Sequence, residues 1–173
     1  KEAAYLAMDA GCDIEMMTSC YAHHLKELLD EDEVSYGVVS MTSSMLLYGE
    51  KPEGEPFRIA VRGAEDGEIL GTVETERCFL STSGGYERFF TDESGKTYSH
   101  ILDTKTGYPV ETDLATVTVF CGSGLLSDYL STLIYMDGTA SIEKHLNADE
   151  YKLVAADMDG NIYVSDGLVF IDD

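Results

Sequence analysis

Apolar residues along this chain follow two periods, one after the other. Up to about residue 30 they recur at helical spacing: Tyr21, Leu25, Leu28 and Leu29 fall on one stripe, while Lys26, Glu27 and Asp30 face away. The acidic run Asp30-Glu31-Asp32-Glu33 ends that segment, and from Val34 the period becomes two. Residues 34–40 and 45–48 read as strands, followed by a turn at Lys51-Pro52-Glu53-Gly54. Further strands are expected at 57–62, 69–75, 78–83, 86–91, 97–102 and 114–121. Asp66-Gly67 and Ser94-Gly95 are hairpin dipeptides, so the strands flanking each are expected to be antiparallel neighbours.

Two helices come late. The spacing predicts the first over about 125–136, with Leu126, Tyr129, Leu130, Leu133 and Ile134 as its buried stripe and Asp137-Gly138 as its stop. A shorter one near 141–146 precedes a last hairpin, whose arms at 151–158 and 161–164 meet through Asp159-Gly160. Runs of strands with the helices grouped apart predict an α+β fold, a mainly antiparallel sheet with a few packed helices. The change of period divides the chain into a helical N-terminal segment, 1–35, and a domain over 36–173.

Composition changes this picture in one respect only. The 173 residues, 44% apolar and 25% charged, are what an ordinary globular domain carries. The charge is not ordinary: 11 Lys plus Arg against 33 Asp plus Glu leave a net −22. Such a surface repels phosphate backbones, which makes nucleic acid and anionic membranes poor partners. A phosphorylated ligand would need a divalent cation or a few well-placed basic groups. No apolar run approaches the ~20 residues of a membrane span. Cys12, Cys20, Cys78 and Cys121 are far apart and include no C-x-x-C, which fits buried thiols better than two disulfides or a zinc site. His23-His24 is an adjacent pair whose rings diverge on a helix, a solvated or structural arrangement. The sequence holds no G-x-S-x-G, H-E-x-x-H, Walker loop or G-x-G-x-x-G.

Candidate chemistry gathers in the second half. Asp128 and Thr132 lie one helical turn apart, so a carboxylate and a hydroxyl offer either two hard oxygen ligands for Mg2+ or a solvated polar face. His100 ends an expected strand just before a turn and suits a phosphate contact or a structural histidine. Asp103 opens Asp103-Thr104-Lys105-Thr106-Gly107, where an Asp can cap its own turn; Gly107 is expected at positive φ, and Pro109 stiffens the exit. Thr82-Ser83-Gly84-Gly85 reads as an anion-binding nest or a plain hairpin, and Arg88 as a cation for a phosphate or a structural carboxylate.

Taken in order, these segments resemble the ApbE family, the FAD:protein FMN transferases. The likeness rests on Lys51-Pro52-Glu53-Gly54-Glu55-Pro56-Phe57-Arg58-Ile59, on Thr82-Ser83-Gly84-Gly85-Tyr86-Glu87-Arg88 and on Tyr98 through Val110 with its histidine and turn. It continues through Ala115-Thr116-Val117-Thr118-Val119 and Ser127-Asp128-Tyr129-Leu130-Ser131-Thr132, and spans about 36–164. The resemblance implies an ApbE-type α+β domain that passes FMN from FAD to a protein threonine and releases AMP. It further implies Mg2+ on Asp128 and Thr132, catalytic roles for His100 and Asp103, and FAD contacts from Thr82, Ser83, Gly84, Arg88 and His100. FAD and a target-protein threonine are then the partners, and the family's habit alone suggests the bacterial cell envelope or periplasm.

Several positions depart from the family pattern. Ser19 stands where a lysine is expected in Asp13-Ile14-Glu15-Met16-Met17-Thr18-Ser19-Cys20-Tyr21-Ala22, and Thr104 where proline is usual. Residues 1–35, with Ala10-Gly11-Cys12-Asp13-Ile14-Glu15-Met16-Met17-Thr18, are similar to a fragment of glycoside hydrolase family 3, so the segment is either fused or divergent. The same departures support an alternative, a non-catalytic truncated homologue that binds flavin or packs against a partner.

Overall fold

The computed structural model describes residues 35–41, 43–65, 67–85 and 89–172. The helix expected before residue 35, with Cys12, Cys20 and His23-His24, lies outside the described residues. Eleven strands and two α-helices follow: β1 (Tyr36–Met41), β2 (Ser44–Gly49), β3 (Phe57–Arg62), β4 (Ile69–Thr75), β5 (Phe79–Gly84), β6 (Phe89–Thr91), β7 (Thr97–Ser99), β8 (Leu114–Cys121), α1 (Gly124–Asp137), α2 (Ile142–Leu146), β9 (Tyr151–Asp157), β10 (Ile162–Val164) and β11 (Val169–Ile171). Every strand pairing among the described residues is antiparallel. The principal sheet has the order β1-β2-β5-β8-β9-β10; β11-β4-β3 and β6-β7 form two smaller ones. The expected α+β class is the one observed.

Burial on both faces of the principal sheet makes three layers. One face meets the helices, where Val117, Val119, Leu153 and Ala155 pack with Leu130, Ile134, Tyr135 and Ile142. The other meets the three-stranded sheet, with Leu47, Leu80, Phe120 and Val154 against Phe57, Val61 and Val73. β8 lies between the two clusters, and all of its residues but Ala115 are buried. That double burial explains its unbroken β-prone run, since a strand covered on both sides needs apolar residues at every position. Cys78 and Cys121 are free thiols, Cys121 buried and Cys78 partly so.

Three details differ from expectation. The buried face of α1 consists of Ser127, Leu130, Ser131, Ile134 and Tyr135, while Tyr129, expected inside, is 60% exposed. The helix is rotated so that small hydroxylated residues face β5, whose own serines satisfy them. β7 stops at Ser99, three residues short, because Ser99 Oγ accepts the Ile101 N–H at 3.1 Å and the chain turns. β6 covers the described part, Phe89–Thr91, of the strand expected at 86–91; residues 86–88 lie outside the described residues. β11 adds a strand to β4 that no local pattern announced.

Candidate functional site

α1 begins at Ser123, whose side chain accepts the Leu126 N–H, and runs along β5. The two elements meet through hydroxyls. Ser81 Oγ lies 3.0 Å from Ser127 Oγ and donates to Ser44 Oγ at 3.0 Å. Two residues along the strand and one turn along the helix, Ser83 Oγ lies 2.9 Å from Ser131 Oγ and 3.0 Å from Thr132 Oγ1. Strand side chains alternate faces, so Ser81 and Ser83 point to the helix together. Thr82 therefore faces away; its hydroxyl lies 2.9 Å from Thr118 Oγ1 and its N–H donates to the Ser43 carbonyl at 2.8 Å. Thr82, Ser83 and Gly84 are laddered to β8 as the end of β5 and do not form a separate hairpin.

Asp128 stands exposed on α1, one turn before Thr132. Its carbonyl accepts the Ser131 hydroxyl at 3.0 Å and the Thr132 hydroxyl at 3.2 Å. Its carboxylate takes no hydrogen bond or ion pair from any described residue.

One further turn along, buried Tyr135 ties the helix to two other segments. Its hydroxyl oxygen accepts the Gly85 N–H and the Ser99 hydroxyl, and burial raises its pKa against both of these. A Cβ on Gly85 would sit 2.5 Å from that oxygen, so the end of β5 can approach only as glycine. Ser99 immediately precedes His100. Tyr135 thus fastens the histidine's segment to the helix that carries Asp128 and Thr132, a link the sequence reading lacked.

His100 is exposed and lines a groove of about 810 Å³ with Phe89, Phe90, Tyr98, Leu102 and Tyr108. The Phe90 and Tyr98 rings stack at 5.5 Å, and Lys96 Nζ lies 5.2 Å from the Tyr98 centroid. Such walls take up the flat face of a ring system. Beyond His100 the turn closes as expected: Asp103 Oδ1 accepts the Lys105 N–H at 2.8 Å, the Asp103 carbonyl accepts the Gly107 N–H at 2.7 Å, and Gly107 has φ +73°. Asp103 caps its own turn. Arg88 lies outside the described residues. A second concavity, about 670 Å³, borders Tyr135 from the side of Glu65, Glu68, Glu111, Asp157 and Asp159. Five carboxylates make it repellent to a phosphate.

Residues 18–156 match the model of the ApbE family. The chain belongs to the ApbE family. The match begins 18 residues before Tyr36 and so includes residues 18–35 of the segment likened to a glycoside hydrolase. Among ApbE relatives, the FAD:protein FMN transferase of Salmonella typhimurium is 30% identical over 139 residues, 79% of this chain and 39% of that protein. That of Escherichia coli K12 is 33% identical over 127 residues, 72% and 36% of the respective chains. A crystal structure of the ApbE protein of Thermotoga maritima superposes with a TM-score of 0.72 at 26% identity, over 84% of this chain and 47% of that one. The apo flavinyl transferase ApbE of Pseudomonas stutzeri gives 0.61 at 29% identity, over 83% and 45%. The chain therefore spans less than half the length of these ApbE proteins.

Among the described residues no group of three or more His, Cys, Asp and Glu could enclose a metal ion. What α1 offers is one partner-free carboxylate and one hydroxyl on the same face. That donor set suits Mg2+, which keeps waters and substrate phosphates as its remaining ligands and seldom takes a full protein cage.

Proposed function

We propose that this chain carries the cation and phosphate region of an FAD:protein FMN transferase. The observation that carries the reading is the pairing, in an ApbE-family chain, of an Asp128 carboxylate that takes no bond from any described residue with a Thr132 hydroxyl held one turn away. Asp128 and Thr132 hold Mg2+. A bound Mg2+ offsets the diphosphate's charge and the charge that develops on the transferred phosphoryl group. In a molecule of net charge −22 that offset is what makes a dinucleotide tolerable.

The remaining roles fall to the segments tied together by Tyr135. Gly84 and the end of β5 border the phosphates. Asp103 shapes the turn beside His100. The acceptor threonine's oxygen bonds to the FMN-side phosphorus as the pyrophosphate P–O bond breaks. AMP leaves with the bridging oxygen, and the hydroxyl proton passes to the His100 imidazole as general base.

Titrating FAD with and without Mg2+ tests the assignment. Binding should tighten with the ion in the wild type and lose that dependence in Asp128→Ala. Mass spectrometry after incubation with FAD, Mg2+ and a threonine peptide should show an FMN-sized adduct. Ion-independent binding that ignores the substitution removes Asp128 from the site. One observation favours a second reading, a flavin-binding homologue without catalysis: Ser19 occupies the family's lysine position. Flavin binding with no adduct, under conditions where a longer relative forms one, selects it.

A further inference from the structure

The hydroxyls around Thr132 form a network with a definite direction. Each owns one proton and two lone pairs. Ser131 Oγ donates to the Asp128 carbonyl, and Thr132 Oγ1 donates to the same oxygen. Both protons are committed there. At their contacts with Ser83 these two residues can therefore only accept, and the Ser83 proton is shared between oxygens 2.9 and 3.0 Å away. Polarity runs from Ser83, through the two helix hydroxyls, to the backbone of the residue whose carboxylate stands free.

This direction matters for a cation. A hydroxyl ligates a metal through a lone pair and must turn its proton elsewhere. Thr132 does so by back-bonding along the helix, and Ser83 occupies one of its two lone pairs, leaving a single one unused. Without Ser83 the threonine oxygen keeps two open acceptor sites, and no other described residue hydrogen-bonds it across the interface.

We infer that Ser83 is a positioning residue for the cation site: its hydroxyl fixes the rotamer and proton direction of Thr132, so that one lone pair is presented beside the Asp128 carboxylate. The inference rests on the Mg2+ assignment proposed above and gives Ser83 a role other than direct contact with FAD. Partners that orient a metal's ligands are commonly worth 10–100-fold in affinity.

One turn earlier the helix supplies its own control. Ser127 bridges to Ser81 at 3.0 Å and back-bonds to the Gly124 carbonyl at 2.9 Å, the same chemistry away from Thr132. The test uses the full chain and Mn2+ alone as the probe, followed by paramagnetic broadening of the Asp128 and Thr132 amide signals. The wild type should show broadening centred on these residues, and Asp128→Ala should abolish it. Ser83→Ala should weaken it about tenfold, Ser83→Thr should restore it, and Ser127→Ala should lower thermal stability while leaving Mn2+ affinity unchanged. Localised broadening that Ser83→Ala does not weaken overturns the positioning role while the cation site stands. Equal weakening by Ser127→Ala also overturns it, because the effect would then be general loosening of the helix. An absence of localised broadening in the wild type overturns both.

Discussion

Asp157, at the end of β9, has four donors aimed at its two oxygens. The N–H groups of Asp159 and Asn161 reach Oδ1, each at 2.9 Å, and the Asn161 side-chain amide and Tyr163 hydroxyl reach Oδ2, each at 2.8 Å. Led by the Asn161 side chain, these bonds favour the ionised form and hold its pKa at about 2, against an ordinary 3.8. A depressed carboxyl pKa contributes stability in full above the unfolded-state value and loses it as pH falls through the folded one. The wild type should therefore lose melting temperature steeply between about pH 4 and pH 2. Asp157→Asn should start lower at neutral pH, fall less over that window and converge with the wild type in acid. Parallel profiles would place the acid sensitivity elsewhere. The same carboxylate shows why a residue's charge is a poor guide to its use: Asp157 closes a hairpin, whereas Asp128, whose carboxylate takes no bond from any described residue, is the one proposed for a ligand.

The face an element presents is set by what it packs on. Hydropathy placed Tyr129 inside α1 and overlooked Ser127 and Ser131, since a serine ordinarily counts as a surface residue. A signal was nonetheless present. Ser81 and Ser83 are two apart on a strand, and Ser127 and Ser131 four apart on a helix, so each pair lies on one face of its element. Their meeting is a tertiary fact that neither local pattern contains. β11 escaped for the same reason, because Val169–Ile171 is three residues long and its partner β4 is far away in sequence. Hairpins were legible: Gly67, Gly95 and Gly160 take φ of +78°, +88° and +86°, and the strands flanking each turn are antiparallel neighbours. Of the candidate site, Asp128, Thr132 and His100 stand out by their motifs, whereas Tyr135, which ties their segments together, resembles any core aromatic. Substitutions on α1 check its orientation. Ile134, with 0% exposure, should cost about 2–5 kcal/mol as alanine, by lost burial plus a cavity. Tyr129→Ala should stay within about 0.5 kcal/mol in chemical denaturation. A Tyr129→Ala loss as large as that of Ile134→Ala would return the tyrosine to the core.

Across the whole molecule, 33 acids against 11 bases push the folded state apart, and the ligand proposed for it carries a diphosphate of the same sign. Salt and a bound cation relieve this in separable ways. Screening acts on all exposed charges and depends on ionic strength alone, with a Debye length of about 10 Å at 0.1 M and about 3 Å at 1 M. Raising NaCl over that range should lift the melting temperature of the wild type and of Asp128→Ala alike. Site binding instead follows mass action: at ten times its dissociation constant an ion adds about 1.4 kcal/mol to the folded state. For a chain of this size that is roughly 3–6 °C. MgCl2 matched to NaCl in ionic strength should therefore give the wild type an additional rise that Asp128→Ala lacks. Acidic patches such as the one around Glu65, Glu68 and Asp159 condense Mg2+ diffusely, but both proteins share them, so they cancel in the comparison. A rise of the same size in both would leave only diffuse condensation, and the acidity would then have no dedicated counter-ion on α1.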